Sequence, residues 1–450
     1  MTIRTTALAG GARVVTEAMP HARSVSCGFW AGVGARDEDD DLAGASHFLE
    51  HLLFKGTEAR SASEIAEAVE AVGGEMNAYT THEHTAYHTR LPASELELGL
   101  DLLGEVFTRP AFRPAEVEAE RQVILEELLM EEDSHEERVH SVLAEAMFPD
   151  HPLGREVLGT RQSIAALGRD EIASFHQAWY RPANLVVAAA GAIDHDEVVT
   201  VVERHLDGAG PGTAPQRRGP VAPARRVQAL TRASEQAHVA VGLPGLDGHD
   251  DDRHALAVAN QVLGGGTASR LFRTIREERG LTYSIFSYLS SYSDAGAWVT
   301  AAACAPARLA EVLGLIHAEL DRFLEHGITE AELAVATGYL AGSTALALED
   351  SGSCMGRIAT SLLVHGEVAP VAEVLDRYRR VTVDDVGRVL ARVAGAGDRS
   401  LAVLGPRSVT SARSLSALPT PRASSAQPRS LSTQPSPAPL IRQRTEGGAA

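Results

Sequence analysis

The most informative part of this sequence is a short segment that contains His47, Glu50 and His51. In a helix with about 3.6 residues per turn, positions i, i+3 and i+4 lie on one face, so these side chains would project together. Two imidazoles placed in this way can bind one metal ion, and the carboxylate beside them can take a proton from a metal-bound water. The pattern His-x-x-Glu-His is the inverted form of a common zinc-peptidase motif. It therefore predicts a metal-dependent hydrolase.

Histidine and glutamate are also frequent on solvated helix faces, so the pattern alone leaves both interpretations open. The neighbouring residues favour the metal site, because the three polar side chains interrupt an apolar run. A buried charge is costly unless it is paired or bound to a metal. The apolar run consists of Phe48, Leu49, Leu52, Leu53 and Phe54. We interpret His47 and His51 as metal ligands and Glu50 as the general base.

The size and composition of the chain limit the class of protein. With 450 residues, 44% of them hydrophobic, the chain is long enough for two or more domains. It contains no apolar run of membrane-spanning length and no signal-peptide pattern at the start, which predicts a cytoplasmic protein without a membrane partner. Arginine supplies almost all basic residues, with Lys55 the only lysine, and this usage together with abundant alanine and glycine indicates a bacterial source.

The charge and the cysteine content exclude further classes. The net charge of −19 argues against a nucleic-acid partner and favours basic peptides. The three cysteines are Cys27, Cys304 and Cys354, an odd number at wide spacing that predicts neither a disulfide framework nor a cysteine metal site. A metal site in this chain must therefore use histidine and carboxylate ligands.

Two breaks in composition predict three regions. A stretch rich in glycine and proline between 208 and 223 separates segments of similar length, so we expect an N-terminal zinc-binding domain at 1–212 and a C-terminal domain at 213–409. The remainder, 410–450, is rich in serine, proline and arginine without apolar periodicity, and we expect it to be disordered.

The two predicted domains resemble each other, which indicates a duplication. An alternating strand and an acidic loop precede a helix in both, at 25–37 and at 238–252. The residues that fall opposite His47, Glu50, His51, Glu120 and Glu127 are Ala257, Asn260, Gln261, Ala336 and Ser343. The second half thus keeps the scaffold without the ligands. Alternating strands and successive amphipathic helices predict an α+β fold of two homologous domains, each an antiparallel sheet with packed helices.

A catalytic zinc ion needs a third protein ligand and an open position for water. We expect this ligand on a long helix predicted at 114–147. There Glu120 and Glu127 lie seven residues apart on one stripe with Ile124 and Leu128, so their carboxylates point inward. The other glutamates of this helix fit a solvated acidic face. Glu127 is therefore the candidate ligand, and Glu120 is the candidate acceptor for the N–H of a ligating imidazole.

Several separated motifs together resemble the pitrilysin-type family of zinc peptidases, in the branch of mitochondrial processing peptidase and its bacterial relatives. The matching segments are 47–57, the position of Glu127 relative to His51, 73–80, 263–272 and 276–284. The resemblance extends over roughly 10–405. It implies two related domains that enclose a chamber, one Zn²⁺ per chain, an endopeptidase that hydrolyses peptides or unfolded polypeptide segments, and a homodimer.

The resemblance also implies roles for residues outside the metal motif. Asn77 would contact the substrate or orient the site. The glycine-rich loop of Gly264, Gly265 and Gly266 would be a mobile contact for the substrate. Arg276 and Tyr283 would cross from the second half to stabilise the oxyanion, although both also fit ordinary packing positions.

Three alternatives follow from the same residues. The chain could be a catalytically inert scaffold or chaperone-like member of the family, although its intact motif argues against this. The glycine-rich loop is not followed by Lys-Ser/Thr, which disfavours a nucleotide-dependent enzyme. His82, His84 and His88 alternate along a predicted strand, and they either form a second metal site or simply share one face.

Overall fold

Two β-sheets form the framework of the chain in a computed structural model that describes residues 2–208, 210, 216–217, 219–395 and 399–419. The strands are β1 (Thr2–Ala7), β2 (Arg13–Ala18), β3 (Ser24–Ala31), β4 (Glu75–Thr80), β5 (Thr85–Pro92), β6 (Leu185–Gly191), β7 (Val227–Thr231), β8 (Ala237–Pro244), β9 (Thr282–Ser291), β10 (Gly296–Cys304) and β11 (Ser400–Gly405). The first sheet has the order β1-β2-β6-β3-β5-β4, and the second has the order β7-β11-β8-β10-β9.

The two sheets have the same topology apart from the additional strand β1. In each sheet, the last strand along the chain lies between an early strand, to which it is parallel, and the following strand, to which it is antiparallel. The predicted α+β fold of two homologous halves is therefore confirmed. The prediction of wholly antiparallel sheets is wrong for one pair in each, β2–β6 and β7–β11, because a long helical connection allows a strand to return in parallel.

Sixteen α-helices occur within the described residues. They are α1 (Ala45–Leu53), α2 (Ala62–Glu70), α3 (Leu96–Thr108), α4 (Pro114–Asp133), α5 (His135–Met147), α6 (Arg161–Ala166), α7 (Arg169–Trp179), α8 (His195–Leu206), α9 (Arg253–Leu263), α10 (Leu309–His326), α11 (Glu330–Ala347), α12 (Ser351–His365), α13 (Val371–Arg379), α14 (Val383–Gly395), α15 (Arg407–Thr410) and α16 (Ala412–Ser416). A π-helical segment, Phe272–Glu277, precedes β9.

The long helix predicted at 114–147 is two helices in the structure. Ser134 adopts extended backbone angles, φ −77° and ψ 95°, between α4 and α5, and its Oγ accepts a hydrogen bond from the N–H of Glu137. Serine in this conformation is a favourable N-cap, so α4 ends and a new helix begins after Ser134. The prediction of one continuous helix is therefore wrong, although both candidate glutamates lie in α4.

Each half of the chain contributes one helix to the sheet of the other half. Apolar side chains of α5, including Val142 and Leu143, pack against Ala240 of β8 and Ala402 of β11. Helix α12 packs in the same way against β2, β3 and β6 of the first sheet. A sheet face must be covered to bury its apolar side chains. One face of each sheet is covered by a helix from the other half.

The two sheets are formed by separate parts of the sequence. The strands of the first sheet lie between 2 and 191, those of the second between 227 and 405, and the predicted boundary at 212 falls outside the described residues. The prediction of disorder from about Thr410 is wrong for the first residues of that segment, because α16 forms there and Leu415 and Leu418 pack against the hydrophobic core of the second half. Residues 420–450 lie outside the described part of the chain.

Two further features concern membranes and cysteines. Within the part of the chain that the structure describes, no single helix has the length and hydropathy to cross a membrane, although the bent pair α11 and α12 together passes that test. Cys27, Cys304 and Cys354 are all buried and all carry free thiols.

Candidate zinc site

Gly44 and Glu38 define the start of helix α1, which carries His47, Glu50 and His51. Gly44 precedes it with φ +91°, a conformation that side chains rarely adopt, and a Cβ there would lie 2.6 Å from the carbonyl oxygen of Leu158. The carboxylate of Glu38 accepts hydrogen bonds of 2.7 Å from the N–H groups of Gly44 and Ser46. Glu38 thus satisfies backbone donors at the start of the helix. Burial raises the pKa of Glu38 to about 7.

The structure brings His47, His51 and Glu127 together. The Oε2 atom of Glu127 lies 3.6 Å from Nε2 of His47 and 3.5 Å from Nε2 of His51. A tetrahedral zinc ion with bonds of about 2.0–2.2 Å separates its ligand atoms by roughly 3.4 Å. The same Oε2 is buried and has no geometrically acceptable hydrogen bond within the described residues. The donor set and its spacing therefore fit a zinc ion.

A chain of polar contacts orients the second histidine. Nδ1 of His51 donates to Oε2 of Glu120 at 3.0 Å, and the ammonium group of Lys55 lies 2.8 Å from Oε1 of Glu120. Glu120 is buried, as its place on the apolar stripe predicts. With the proton on Nδ1, the lone pair of Nε2 points toward Glu127 and is available to a metal.

The electrostatics of His47 and Glu127 suit a cation. Burial and the neighbouring His51 lower the pKa of His47 to about 4, so this imidazole is neutral at pH 7. Burial also lowers the pKa of His51, but the nearby carboxylates of Glu127 and Glu120 outweigh it, and the net pKa is raised. The close approach of His51, together with the neighbouring His47, lowers the pKa of Glu127 despite its partial burial. A neutral imidazole and an ionised carboxylate are the forms that bind zinc.

Glu50 lies beside the ligands and is held by the neighbouring strand. Its Oε2 accepts a hydrogen bond of 2.7 Å from Oγ1 of Thr80, the last residue of β4. Burial raises the pKa of Glu50, and the Thr80 hydrogen bond partly opposes this shift. A glutamate with a raised pKa is suited to accept and return a proton near neutral pH.

Sequence reasoning missed the roles of Thr80 and Lys55. Alternation along β4 puts Thr80 on the same face as Met76 and Ala78, which pack against the hydrophobic core of the first half. This alternation could have predicted that Thr80 faces α1. Lys55 is the only lysine of the chain and follows His51 by one helical turn. That spacing could have suggested a partner for a carboxylate.

Asn77 lies on the exposed side of β4, which is an edge strand. Its Oδ1 accepts a hydrogen bond of 2.8 Å from the N–H of Ala78. It lines a cavity of about 760 Å³ together with apolar side chains of α2 and Met355 of α12. Asn77 is therefore next to a space that a side chain of a bound peptide can enter.

The glycine-rich loop follows α9 in the second half. A Cβ on Gly264 would lie 2.6 Å from Oγ of Ser287, and a Cβ on Gly265 would lie 2.5 Å from Oε1 of Gln261. A Cβ on Gly266 would lie 3.0 Å from Nε2 of Gln261. The first two glycines are required by the close approach of the loop to β9 and α9. This packing gives Gly264 and Gly265 a structural reason that is independent of substrate binding.

Arg276 and Tyr283 contact each other. The guanidinium carbon of Arg276 lies 4.7 Å from the centre of the Tyr283 ring and 4.5 Å from that of Phe272. Tyr283 is 81% exposed. Among the described residues, no hydrogen bond or ion pair connects Arg276 or Tyr283 with the candidate ligands, and their predicted role in the oxyanion site stays a prediction.

The three alternating histidines have other partners. Nε2 of His82 lies 3.1 Å from the carbonyl oxygen of Arg155, and Nδ1 of His84 lies 3.2 Å from Oγ1 of Thr81. The rings of His84 and His88 both lie against Tyr79. Within the described residues, the one group of three metal-ligating side chains at suitable distances is His47, His51 and Glu127.

Comparisons with known proteins give two family-model matches and several relatives. The insulinase model of peptidase family M16 matches residues 13–161, and the model described as the peptidase M16 inactive domain matches residues 166–337. An uncharacterized zinc protease of Streptomyces coelicolor is 45% identical and covers 90% of both chains. A zinc protease of Mycobacterium tuberculosis, also called uncharacterized, is 43% identical over 90% of this chain and 93% of its own.

Solved structures support the fold. The chain resembles a peptidase M16 inactive domain from Pseudomonas fluorescens with a TM-score of 0.83 and 21% identity, over 90% of this chain and 98% of the other. A protease from Helicobacter pylori gives a TM-score of 0.82 with 22% identity, over 90% and 99% of the two chains. The sheet topology, the clustered histidines and glutamate, and these matches lead to one conclusion: the chain belongs to the pitrilysin-type zinc metallopeptidases, peptidase family M16.

Proposed function

We propose that this protein is a zinc-dependent endopeptidase that hydrolyses peptides or unfolded polypeptide segments. The observation that supports this most strongly is the convergence of His47, His51 and Glu127 on one point, with Glu50 beside them and held by Thr80. The names of the related proteins support zinc and proteolysis in general.

Each residue of the site has a role in this proposal. His47, His51 and Glu127 hold one Zn²⁺ per chain, and Glu120 fixes the His51 ring through Nδ1. A bound Zn²⁺ supplies Lewis acidity, which lowers the pKa of water and polarises a carbonyl group. Glu50 accepts a proton from the attacking water and returns it to the leaving amine.

Strand β4 provides a surface for an extended peptide. It is the outer strand of the first sheet, and the residue at its end, Thr80, contacts Glu50. An edge strand exposes alternate backbone N–H and C=O groups, to which an extended segment can add as a further strand. Such a peptide passes Asn77 and the adjoining cavity, whose apolar lining accepts an apolar side chain.

The second half contributes binding groups in this proposal. Gly264, Gly265 and Gly266 contact the substrate, and Arg276 and Tyr283 stabilise the oxyanion that forms during attack. The exposure of Tyr283 supports a role in binding, because its hydroxyl is free to reach a substrate.

The test of the proposed function is the substitution Glu50→Gln in the purified protein. Glu50 moves protons and does not bind the metal, so the variant should retain about one zinc per chain and lose hydrolysis of an internally quenched peptide. The control is Glu118→Gln, at a solvated position on α4. Wild-type protein that binds zinc without hydrolysing any peptide of a diverse library would favour the inert scaffold instead.

We further propose that the protein acts in the bacterial cytoplasm as a homodimer. Three buried free thiols are compatible with a reducing compartment. Cell fractionation tests the location. Light scattering of the purified full chain tests the dimer, and a mass of one chain at micromolar concentration would contradict it.

A further inference from the structure

A buried arginine joins the two halves of the chain near the candidate zinc site. The side chain of Arg36, which precedes α1, has no exposed surface. Its Nη1 lies 2.7 Å from Oε1 of Glu83, in the turn between β4 and β5, and its Nη2 lies 2.6 Å from Oδ2 of Asp294. Asp294 belongs to the turn between β9 and β10 of the second half. One guanidinium group thus bridges carboxylates from both halves.

The neighbouring groups extend this bridge into a cluster. The N–H and Oγ–H of Ser293 donate to the two carboxylate oxygens of Glu83 at 2.9 and 2.7 Å. Arg217, from the segment that joins the halves, donates to the buried carboxylate of Asp37 at 2.8 and 3.0 Å and to the carbonyl oxygen of Glu83 at 2.8 Å. Ser293 and the two arginines lower the pKa of Glu83 despite its burial.

The cost of burying charge makes this cluster a rigid contact. A buried ion is tolerated only when it is paired and hydrogen-bonded, and removing one partner leaves the others uncompensated. Glu83 receives side-chain or backbone donors from three separate segments, so the turn that carries it cannot move without breaking several charge-assisted hydrogen bonds.

The same turn leads directly to the residue that holds Glu50. Backbone hydrogen bonds connect the N–H of Ala35 with the carbonyl oxygen of Thr81 and the N–H of Arg36 with that of His82. Thr80 immediately precedes this turn and donates to Glu50. A displacement of the turn therefore also displaces Thr80 and changes its hydrogen bond with Glu50.

We propose that Asp294 and Ser293 of the second half, acting through Arg36 and Glu83, are positioning residues that hold Thr80 against Glu50. This inference rests on the proposed peptidase function and gives the second half a role in the reaction that needs no contact with the substrate. It predicts that turnover depends on the cluster because the cluster fixes one hydrogen bond, rather than because it stabilises the fold.

A double-mutant cycle between Asp294→Asn and Thr80→Val tests this inference. The peptide to use is the internally quenched one that wild-type protein cleaves fastest. Each single variant should lower kcat by about 10-fold with little change in KM and with zinc content near one per chain. If Asp294 acts through Thr80, the double variant should also lose only about 10-fold.

The control variant removes a comparable ion pair that shares no residue with the cluster. Glu332 pairs with Arg270 at 2.6 Å, and its side chain is 28% exposed, against 30% for Asp294. Glu332→Gln alone should lower the Tm but leave kcat unchanged, and its combination with Thr80→Val should have the kcat of Thr80→Val alone. A reduction of kcat by Glu332→Gln equal to that of Asp294→Asn would show that ion-pair loss acts through general stability, and would overturn the inference.

Milder variants keep the test decisive if Asp294→Asn folds poorly. Ser293→Ala removes one donor to Glu83 and should couple to Thr80→Val in the same way, while Asp294→Glu keeps the charge and should recover most of the turnover. Hydrogen exchange of the amides at 81–84 should be faster in Ser293→Ala than in wild type. Effects of Ser293→Ala and Thr80→Val on kcat that multiply in the double variant would overturn the inference, whereas failure of wild type to hydrolyse peptides would overturn the proposed function itself.

Discussion

The candidate zinc site in the first half has a structural counterpart in the second half. In the first half, Oγ1 of Thr80 on the edge strand β4 donates to Glu50 of α1 at 2.7 Å. In the second half, Oγ of Ser287 on the edge strand β9 donates to Oδ1 of Asn260 on α9 at 2.8 Å. Asn260 is the residue that falls opposite Glu50. The contact between the strand hydroxyl and the helix side chain is thus present in both halves, although within the described residues only the first half contains candidate metal ligands.

The partners of the two helix residues explain their different uses. Oδ1 of Asn260 also accepts a hydrogen bond of 2.9 Å from the indole of Trp298, so this amide oxygen binds two internal donors. The carboxylate of Glu50 lies instead beside His51 and Glu127, which influence its pKa. A neutral amide with internal partners stabilises a core, whereas a partly buried carboxylate beside a metal site can transfer protons.

The largest expected effect follows from making α4 resemble α11. Glu127→Ser introduces the residue found at the equivalent position, Ser343, and removes the carboxylate that we propose to bind the metal. Zinc measured after dialysis should fall from about one per chain to near zero, and hydrolysis should be lost. Glu120→Ala should weaken zinc affinity by only about 10–100-fold, because Glu120 supports His51 without binding the metal. Greater zinc loss from Glu120→Ala than from Glu127→Ser would exchange their roles.

The next effect tests whether the second half takes part in the chemistry. Tyr283→Phe removes a hydroxyl that we propose to stabilise the oxyanion, so kcat should fall by about 10²-fold while KM and zinc content change little. Tyr339→Phe is the matched control, since Tyr339 is another exposed tyrosine of the second half and should have no effect. Equal kcat values for the two variants would assign Tyr283 to packing.

A smaller effect compares the two strand hydroxyls directly. Thr80→Val should lower kcat by about 10-fold with zinc retained, because it removes a hydrogen bond to a charged carboxylate. Ser287→Ala removes the equivalent hydroxyl from the second half and should leave kcat unchanged, with a loss of about 1 kcal/mol in the free energy of unfolding. Steady-state kinetics and urea denaturation measure the two quantities. A loss of turnover in Ser287→Ala would contradict the division of roles between the halves.

The smallest expected effect concerns the start of α1. Because burial raises the folded-state pKa of Glu38 to about 7, the folded protein binds this proton more tightly than the unfolded chain. The resulting contribution to stability is therefore present at low pH and is lost as the pH rises through 7. Between pH 6 and pH 8 it should fall by about 1 kcal/mol, and Glu38→Gln should lack this dependence. Denaturation of both proteins at the two pH values checks this, and parallel pH dependences would show that Glu38 is ionised throughout.

Periodicity in the sequence was sufficient to predict the main features of the site. The spacing of His47, Glu50 and His51 depends only on helix geometry, and the stripe that contains Glu120 and Glu127 depends only on the apolar pattern of α4. The duplicated pattern predicted two homologous halves because strand alternation and turn residues are local properties. The stripe made Glu127 the candidate third ligand, and the family resemblance agreed with its position relative to His51.

Tertiary structure decided what local patterns do not encode. The break at Ser134 and the exchange of α5 and α12 between the sheets depend on which apolar faces need cover, and that need arises only when both halves are folded. The contacts of Lys55 with Glu120 and of Thr80 with Glu50 join side chains from separate elements. The sequence by itself determined the kinds of chemical groups and the faces they occupy, whereas packing determined their partners, because distances between elements depend on how their apolar surfaces fit together.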